Sequence, residues 1–199
     1  MSATRSEIDA DLAAWLEGQP VFFVSTAPLS AAGHVNCSPK GGSCLKVLGP
    51  RKVVYQEATG SGVETIAHLR ENGRIVLMFC AFEGDPKIVR LHGRGEVIRE
   101  GHQDYEGLHR LFPVRVSTRS YIQIDVTRIS DSCGFGVPVM NFQAPRDILE
   151  KWCNSKGPAV ISDYQRRKNA RSIDGLPALE GDFAPPDVPP QALSGEEAE

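Results

Sequence analysis

Hydrophobic residues in the first third of the chain follow a helical spacing and then strand spacings. Residues 7–17 carry apolar side chains at i, i+4, i+7 and i+8, with acidic residues opposite, which predicts an amphipathic helix. Residues 21–26 are β-branched and aromatic, and a second strand is expected to follow a turn and run through Ser38. Residues 45–48 and 53–56 flank a Gly-Pro pair and therefore predict a hairpin.

The middle of the chain holds a long apolar run at residues 74–82, which predicts a strand buried on both faces. Residues 87–99 predict another strand, bent at its two internal glycines. Residues 102–112 and 145–153 show a helical spacing of apolar side chains. Residues 120–130 alternate apolar with polar positions, as a half-buried strand does. Strands therefore dominate the predicted elements.

The predicted elements favour a mainly β fold with flanking helices. About six strands with little helix indicate a closed sheet, because an exposed sheet edge invites pairing with other chains. Residues 158–179 show a mixed pattern. Residues 180–199 are rich in proline and acidic side chains and poor in bulky apolar ones, so we expect them to be disordered.

The charge distribution adds to this picture. Six of the 25 acidic residues and none of the 22 basic residues lie in 180–199, so the remainder of the chain has a net charge of +3. A mildly basic body suits an anionic small ligand, but it lacks the excess of cations that nucleic-acid binding requires. No apolar stretch is long enough to cross a bilayer. We therefore expect a small-molecule ligand, without nucleic acid or membrane as a partner.

The five cysteines are odd in number and irregularly spaced. No secretory signal precedes them, because the first predicted helix is amphipathic and acidic. Reduced thiols and a cytoplasmic location are therefore expected.

The segment with the most chemical content is residues 59–65 (TGSGVET), between a predicted strand and a predicted helix. Its glycines permit a sharp turn, and N–H groups at the helix start together with three hydroxyls form an anion site that a phosphate would fit. A second interpretation needs no ligand, because Ser61 and Glu64 match the S-x-x-E capping box. The pattern alone leaves both interpretations open.

Two further groups of basic residues are candidates for an anion site. Lys40 lies in a Pro-Lys-Gly-Gly turn, where it could meet a phosphate or the electron-rich edge of a ring, or remain in solvent. Arg90, His92 and Arg94 share one side of their strand by the period of two, so they could line a basic pocket or face solvent.

Metal binding and nucleophilic catalysis have little support in the sequence. His34, Cys37 and Cys44 lie close together, but no fourth ligand follows at a convincing spacing. No G-x-S-x-G motif is present, and Cys133 lacks a histidine nearby in the sequence. We expect no metal site, and the catalytic residues remain unassigned.

Four segments, in the same order along the chain, resemble those of pyridoxamine 5′-phosphate oxidase-like flavoproteins. They are VNCSPKGG at residues 35–42, TGSGVETIAHLRENGRIVLMF at 59–79, LHGRGEV at 91–97 and IDVTRISDSCGFGVP at 124–138. Each motif is only moderately specific, so the order in which they occur carries the resemblance. The resemblance covers approximately residues 8–142.

The resemblance implies an FMN-binding split β-barrel, in which two subunits pack together around two flavins. It implies that residues 38–46, from Ser38 to Lys46, lie along the flavin ring system. It also implies that the turn holds the flavin phosphate through three side chains and the neighbouring glycine N–H groups: Thr59, Ser61 and Thr65, with Gly60 and Gly62.

The chain departs from this family at two places. The family's turn often carries Arg-Lys where Glu64 and Thr65 stand, so the positive charge must come from Lys40, Lys46 or Arg90. The C-terminal part also lacks the tryptophan- and arginine-rich segment with which the true oxidase grips pyridoxal phosphate. Pyridoxamine phosphate is therefore not the expected substrate.

The function that the resemblance implies is an FMN-dependent oxidoreductase, in which the flavin carries the redox chemistry and the protein positions it. Two alternatives stay open: a non-enzymatic flavin-binding or stress-related protein, and a related barrel that takes a deazaflavin or haem. The expected organisation is a homodimer with a split-barrel domain at 1–143. A helical extension at 144–179, packed on the barrel or the partner subunit, and a tail at 180–199 complete the chain.

Overall fold

The computed structural model of the protein describes residues 3–182. Within that range the strands and helices are, in chain order, β1 (Ala3–Arg5), α1 (Ala10–Gly18), β2 (Val21–Thr26), β3 (Asn36–Gly41), β4 (Leu45–Gly49), β5 (Lys52–Ala58), α2 (Glu64–Asn72), β6 (Arg74–Cys80), β7 (Ile88–Ile98), α3 (Tyr105–His109), β8 (Thr118–Ser132), α4 (Ile148–Lys156) and α5 (Pro158–Lys168). The mainly β prediction with flanking helices is confirmed.

The strands form one curled antiparallel sheet in the order β3-β2-β6-β7-β8-β5-β4, and β1 pairs with β8. Within residues 3–182, no hydrogen-bonded pairing joins β3 to β4, although these strands follow each other in the chain. The sheet is therefore a barrel split between β3 and β4. The complete closure expected from the strand count is not found.

The core lies on the concave face of the sheet. Phe22 of β2 stacks on Phe79 of β6, with ring centroids 5.1 Å apart, and Leu77 lies fully buried on the same face. Leu12 and Leu16 of α1 join this cluster, because the helix places them on one side. Burying side chains of this size stabilises the fold by about 1.5–3 kcal/mol each.

Strand β6 buries only one face completely. The expectation that residues 74–82 are buried on both faces is wrong, because Val76 and Met78 are only half-buried while Ile75 and Leu77 are in the core. This alternation arises because an antiparallel sheet packs one face on its core and leaves the other more open.

A β-bulge lies at Gly93, one of the two glycines at which a bend in β7 was predicted. His92 lies opposite Arg128 and Gly93 opposite Val126, so β8 has one additional residue at this point. A Cβ atom on Gly93 would lie 2.3 Å from the Asp125 carbonyl oxygen, which only glycine avoids. The bulge allows the two longest strands of the sheet to bend around the core.

The C-terminal extension contains two helices, α4 and α5. The predicted helix at 145–153 corresponds to α4, and α5 lies within residues 158–179, where the hydrophobic pattern was mixed. Trp152 and Tyr164 join the two helices in a T-shaped contact, with centroids 5.6 Å apart. None of the helices among residues 3–182 is long and apolar enough to cross a bilayer.

Part of the predicted disordered tail is packed in the structure. Glu180 pairs with Arg171 at 2.6 Å, and Asp182 pairs with Arg70 at 2.6 Å. The C-terminal segment therefore contacts the body of the protein as far as residue 182, past the expected boundary at 179. The rest of the predicted tail, residues 183–199, lies outside the described residues.

Candidate functional site

A cavity of about 760 Å³ opens at the split in the barrel. Its walls come from β3, the end of β5, the turn at 59–63, the start of α2 and the residues that lead into β8, with segment 142–150 along the rim. Volumes of this size are typical of small-molecule and cofactor sites. The cavity therefore lies where four separate parts of the sequence meet.

The turn at 59–63 does not form the capping box that the sequence permitted. Helix α2 begins at Glu64, its N-cap residue is Val63, and no side chain caps it. Ser61 is exposed and lies on the cavity wall, two residues before the cap, so its hydroxyl is not used by the helix. The capping interpretation is wrong, because the helix begins later than the S-x-x-E pattern requires.

The backbone of this turn is oriented by two side chains behind it. Asn169 Nδ2 donates to the Gly60 carbonyl at 3.0 Å, and Arg119 Nη1 donates to the Gly62 carbonyl at 2.8 Å. In a planar trans peptide the next N–H points opposite to the carbonyl, so the N–H groups of Ser61 and Val63 point away from these side chains. The first N–H groups of α2 also lack partners within the helix. Together they give this wall a positive partial charge.

A buried ion pair lies beside the turn. The Glu57 side chain is 1% exposed and the Arg119 side chain 3%, and Glu57 Oε1 lies 3.1 Å from Arg119 Nη2. Ser120 Oγ donates to Glu57 Oε2 at 2.8 Å, and Lys40 Nζ lies 3.8 Å from Oε1. Burial raises the pKa of the Glu57 carboxyl, but Arg119, Lys40 and Ser120 outweigh it, so the net pKa is lowered. Glu57 is therefore ionised at neutral pH.

The positive charge of the cavity differs from the sequence-based assignment. Lys40 lines the cavity as predicted, together with three cations that the sequence analysis did not select: Arg115, Arg119 and Arg146. Lys46 does not line it, because its ammonium pairs with Glu17 at 3.0 Å.

The predicted basic stripe on β7 also lies away from the cavity. Arg90 faces the other side of the sheet, where its guanidinium donates to Ser132 Oγ at 3.1 Å. His92 and Arg94 do not line the cavity either, and Arg94 donates to the Asn72 carbonyl at 2.8 Å. None of these three side chains supplies positive charge to the turn.

The predicted hydroxyl ligands differ in how far they are free to bind. Thr59 is buried, and its Oγ1 donates to the Ser117 carbonyl at 2.9 Å while accepting from Gln165 Nε2 at 2.8 Å. The hydroxyl proton of Thr59 is therefore used inside the protein and is not free to be donated to a phosphate. Thr65 Oγ1 accepts from Asn36 Nδ2 at 3.0 Å, which leaves its hydroxyl proton available.

Two buried polar atoms among the cavity-lining residues have no hydrogen-bond partner within the described part of the chain. They are Ser38 Oγ, which belongs to the predicted ring-contacting segment, and Gln56 Oε1. Buried polar atoms are normally paired, so both atoms are suited to a polar ligand in the cavity.

The site residues that the sequence analysis did not identify have polar side chains and lie on strands or in the C-terminal extension. The predicted last strand began at residue 120, which left Arg119 outside it, whereas β8 begins at Thr118. Glu57 follows directly on the predicted strand 53–56, and a carboxylate at the end of a buried strand is the one signal that could have indicated it.

The donor set of the cavity fits a phosphorylated organic molecule better than a haem. Among the described residues that line it, none is a histidine, methionine or tyrosine, and Cys44 is the one thiol. Burial raises the pKa of Cys44 to about 11, so the thiol remains protonated and is a poor iron ligand. The N–H groups, hydroxyls and cations described above suit an anion.

Solved structures share this fold. A single-residue variant of the Group A Streptococcus protein HupZ matches 63% of this chain and 99% of its own chain, with a TM-score of 0.50 and 23% identity. An FMN-binding protein from Syntrophomonas wolfei matches 61% of this chain and 78% of its own, with a TM-score of 0.40 and 16% identity. The first likeness supports the fold alone, and the second is too distant to carry an argument.

Sequence comparison identifies the family. Residues 8–133 match the sequence profile described as pyridoxamine 5′-phosphate oxidase. The pyridoxamine 5′-phosphate oxidase family protein ustO of Aspergillus flavus is 41% identical, and the match covers 83% of this chain and 73% of ustO. The matched range ends at residue 133, within one residue of the end of β8, so it contains the whole sheet after β1 and most of the cavity wall. This chain belongs to the pyridoxamine 5′-phosphate oxidase family.

Proposed function

We propose that the protein binds FMN in the cavity at the barrel split and uses it as an oxidoreductase. The observation that carries this proposal is the turn at 59–63, whose Ser61 and Val63 N–H groups point away from Asn169 and Arg119 on the wall of a cavity that also holds Lys40 and Arg115. Family membership supports a flavin as the ligand. A phosphate at the turn would receive N–H donors, the Ser61 hydroxyl and two cationic side chains.

The buried Glu57 carboxylate has a defined place in this proposal. It would repel a phosphate if it were alone, but Arg119 and Ser120 bind both of its oxygens. Arg119 is therefore neutralised and serves the turn through the Gly62 carbonyl, while Lys40 and Arg115 remain to attract the anion. Glu64 and Glu150, which also line the cavity, are turned toward the Ile173 N–H and the Ser117 hydroxyl.

The ring end of the flavin would lie toward Ser38 and Gln56. Their unpartnered oxygens offer hydrogen bonds to the polar edge of the ring, and such bonds tune the reactivity of a bound flavin. The flavin, when bound, supplies the hydride and electron transfer. The protein's part is to hold the phosphate at one end, to orient the ring at the other and to keep water out.

The phosphate assignment predicts a ligand-selective effect of Ser61→Ala. The variant should bind FMN about tenfold or more weakly, because a hydrogen bond to a charged group contributes about 1.5–3 kcal/mol. Riboflavin, which has no phosphate, should bind with unchanged affinity. Thermal stability should also be unchanged, because Ser61 does not cap α2. Fluorescence titration of the apo-protein with both ligands measures the effect.

The matched control for this test is Ser155→Ala, in α4 and away from the cavity. It should leave the affinities for both ligands unchanged. Equal weakening of FMN and riboflavin by Ser61→Ala would place the ring at the turn and refute the phosphate assignment. Purification without a chromophore, together with tight binding of a deazaflavin, would refute the choice of FMN. A flavin-loaded protein that never oxidises NAD(P)H with an added acceptor would favour the non-enzymatic alternative.

A homodimer is the second part of the proposal. Several large apolar side chains in the segment between β8 and the body of α4 are more than half exposed: Phe135, Val139, Met140, Phe142 and Ile148. Large exposed apolar side chains this frequent in one short segment favour a protein–protein interface there. Phe142 also lines the cavity, so a partner subunit on this segment would contribute to the flavin site.

As a homodimer, the protein should sediment at micromolar concentration as a species of twice the 21.7 kDa chain mass. The interface should bury more than about 2,000 Å², which is the range of obligate dimers. Val139→Asp should shift the distribution toward monomer, because its side chain is 83% exposed in the isolated chain and a carboxylate there would be desolvated on association. A monomeric parent protein that retains its flavin would exclude the composite site.

A further inference from the structure

We propose that the C-terminal extension is part of the phosphate site, with Asn169 and Gln165 as positioning residues for the turn at 59–63. This inference rests on the proposed function, and it assigns a role to residues beyond 133, where the family match ends. Neither side chain would touch the ligand. Each acts on the backbone or the hydroxyl of a residue that does form the cavity wall.

Asn169 is the central residue of this arrangement. Its side chain is fully buried, and its Nδ2 donates to the Gly60 carbonyl at 3.0 Å and weakly to the Ser61 carbonyl at 3.4 Å. Its Oδ1 accepts from Arg119 Nη1 at 2.9 Å, and the same nitrogen donates to the Gly62 carbonyl. One amide therefore fixes the peptide planes of the turn directly and fixes the guanidinium that holds the remaining carbonyl.

Asn169 is itself held on both sides by the backbone. Its N–H donates to the Gln165 carbonyl at 2.8 Å at the end of α5, and its carbonyl accepts from Leu179 N–H at 3.0 Å. The segment after α5 contacts α2, because the Ala178 carbonyl accepts a hydrogen bond from Arg70 of α2. These hydrogen bonds fix the position of the Asn169 side chain relative to the turn, as a positioning residue requires.

Gln165 makes a similar contact to Thr59, the residue before Gly60. It lies one helical turn before Asn169 and is 5% exposed, and its Nε2 donates to Thr59 Oγ1 at 2.8 Å. Thr59 in turn donates to the Ser117 carbonyl. Packing alone does not account for a polar side chain on the buried side of α5, since an apolar residue would bury there at lower cost.

The arrangement couples phosphate binding to docking of the extension. A phosphate gains affinity only while the N–H groups of the turn keep their direction, and that direction depends on Asn169 and Arg119. By linkage, whatever the docked extension adds to FMN affinity, bound FMN adds to the docking of the extension. Riboflavin lacks the phosphate and should show no such coupling.

The test compares FMN and riboflavin binding in the full-length parent protein, in Asn169→Ala and in a control. Asn169→Ala should weaken FMN about tenfold, which corresponds to about 1.4 kcal/mol, and should weaken riboflavin less than about twofold. The control is Ile161→Ala, because Ile161 is buried at 2% exposure in α5, the helix that ends directly before Asn169, and does not line the cavity. It should lower the melting temperature and leave the preference for FMN over riboflavin unchanged.

Each result decides the matter. If Asn169→Ala keeps the parental preference for FMN, the positioning role is overturned and the FMN proposal stands. If Ile161→Ala also loses the preference, the extension acts only through general stability and the inference fails. A parent protein that does not prefer FMN over riboflavin overturns the proposed function and the inference together. Should Asn169→Ala not fold, Gln165→Met replaces it, with an expected loss for FMN of about threefold and no loss for riboflavin.

Discussion

Replacing Arg119 with Met should lower the free energy of unfolding by about 3–5 kcal/mol at neutral pH, because the change leaves a buried carboxylate without its partner. Glu57 is 1% exposed and depends on Arg119 for two of its contacts. The same substitution removes the donor to the Gly62 carbonyl, so FMN binding should be lost as well. Urea unfolding followed by tryptophan fluorescence measures the stability.

The Arg119→Met defect should depend on pH. In the parent protein the pKa of Glu57 is lowered, so the ionised carboxylate adds stability above its unfolded pKa of about 4.3 and loses it as the pH falls through the folded value. In the variant we expect burial of Glu57 to outweigh the contacts with Lys40 and Ser120 and to raise its pKa above the unfolded value. The free energy of unfolding of the variant should then fall as the pH rises from the pKa of Glu57 in the unfolded chain to its raised pKa in the folded protein. The difference from the parent should therefore widen between pH 5 and pH 8.

The double variant Glu57→Gln with Arg119→Met is the control for this mechanism. It removes both charges, so it should recover most of the lost stability and show no additional pH dependence. A single variant whose stability loss is the same at both pH values would contradict the ion-pair mechanism. It would indicate that Arg119 contributes through packing.

Replacing Gly93 with Ala should destabilise the fold by about 3 kcal/mol, at or above the upper end of the usual cost of overpacking. The added Cβ would lie 2.3 Å from the Asp125 carbonyl oxygen and 2.8 Å from Ile124 Cγ2. The first of these atoms belongs to the backbone of β8 at the bulge, so it cannot move without disturbing the ladder between the two strands.

The matched control is Gly107→Ala in α3, where an added Cβ meets no atom within 4 Å and the backbone φ is not positive. That change should stabilise the protein by about 0.4–1 kcal/mol, because alanine restricts the unfolded chain. Opposite shifts of the melting temperature in the two variants are the expected result. A Gly93→Ala variant as stable as the parent would mean that the bulge is not as tight as described.

Elements that bury one apolar face could be predicted from the sequence, and elements that bury polar groups could not. Strand β2 has the predicted bounds, 21–26, because its burial alternates with every residue. Helix α5 was missed, because its two buried residues are Ile161 and Gln165, and one of these is polar. Strand β1 is three residues long, which is too short for any periodicity to be seen.

The candidate site was predicted in part for the same reason. The turn and Lys40 carry local signals, namely glycines, hydroxyls and a basic residue after a strand, and they line one cavity in the structure. Arg119 and Asn169 could not be recognised from their neighbours in the sequence, because their role depends on long-range hydrogen bonds to the turn. The charge was assigned to Lys46 and Arg90, since a sequence does not show that each already has a partner.

The pairing of β1 with β8 has a consequence for synthesis of the chain. Ala3 lies opposite Asp131, so the first strand has no partner until most of the protein has left the ribosome, on the order of ten seconds or more at usual elongation rates. The cavity is later still, since its turn needs Asn169. Until β6 and β8 follow, β2 with β3 and β4 with β5 form two separate hairpins, because β2 and β5 find their remaining partners only in β6 and β8. A chaperone that shields β edges should raise the yield of folded protein more than added FMN does, because the cavity that we propose to hold FMN is completed only once Asn169 is present.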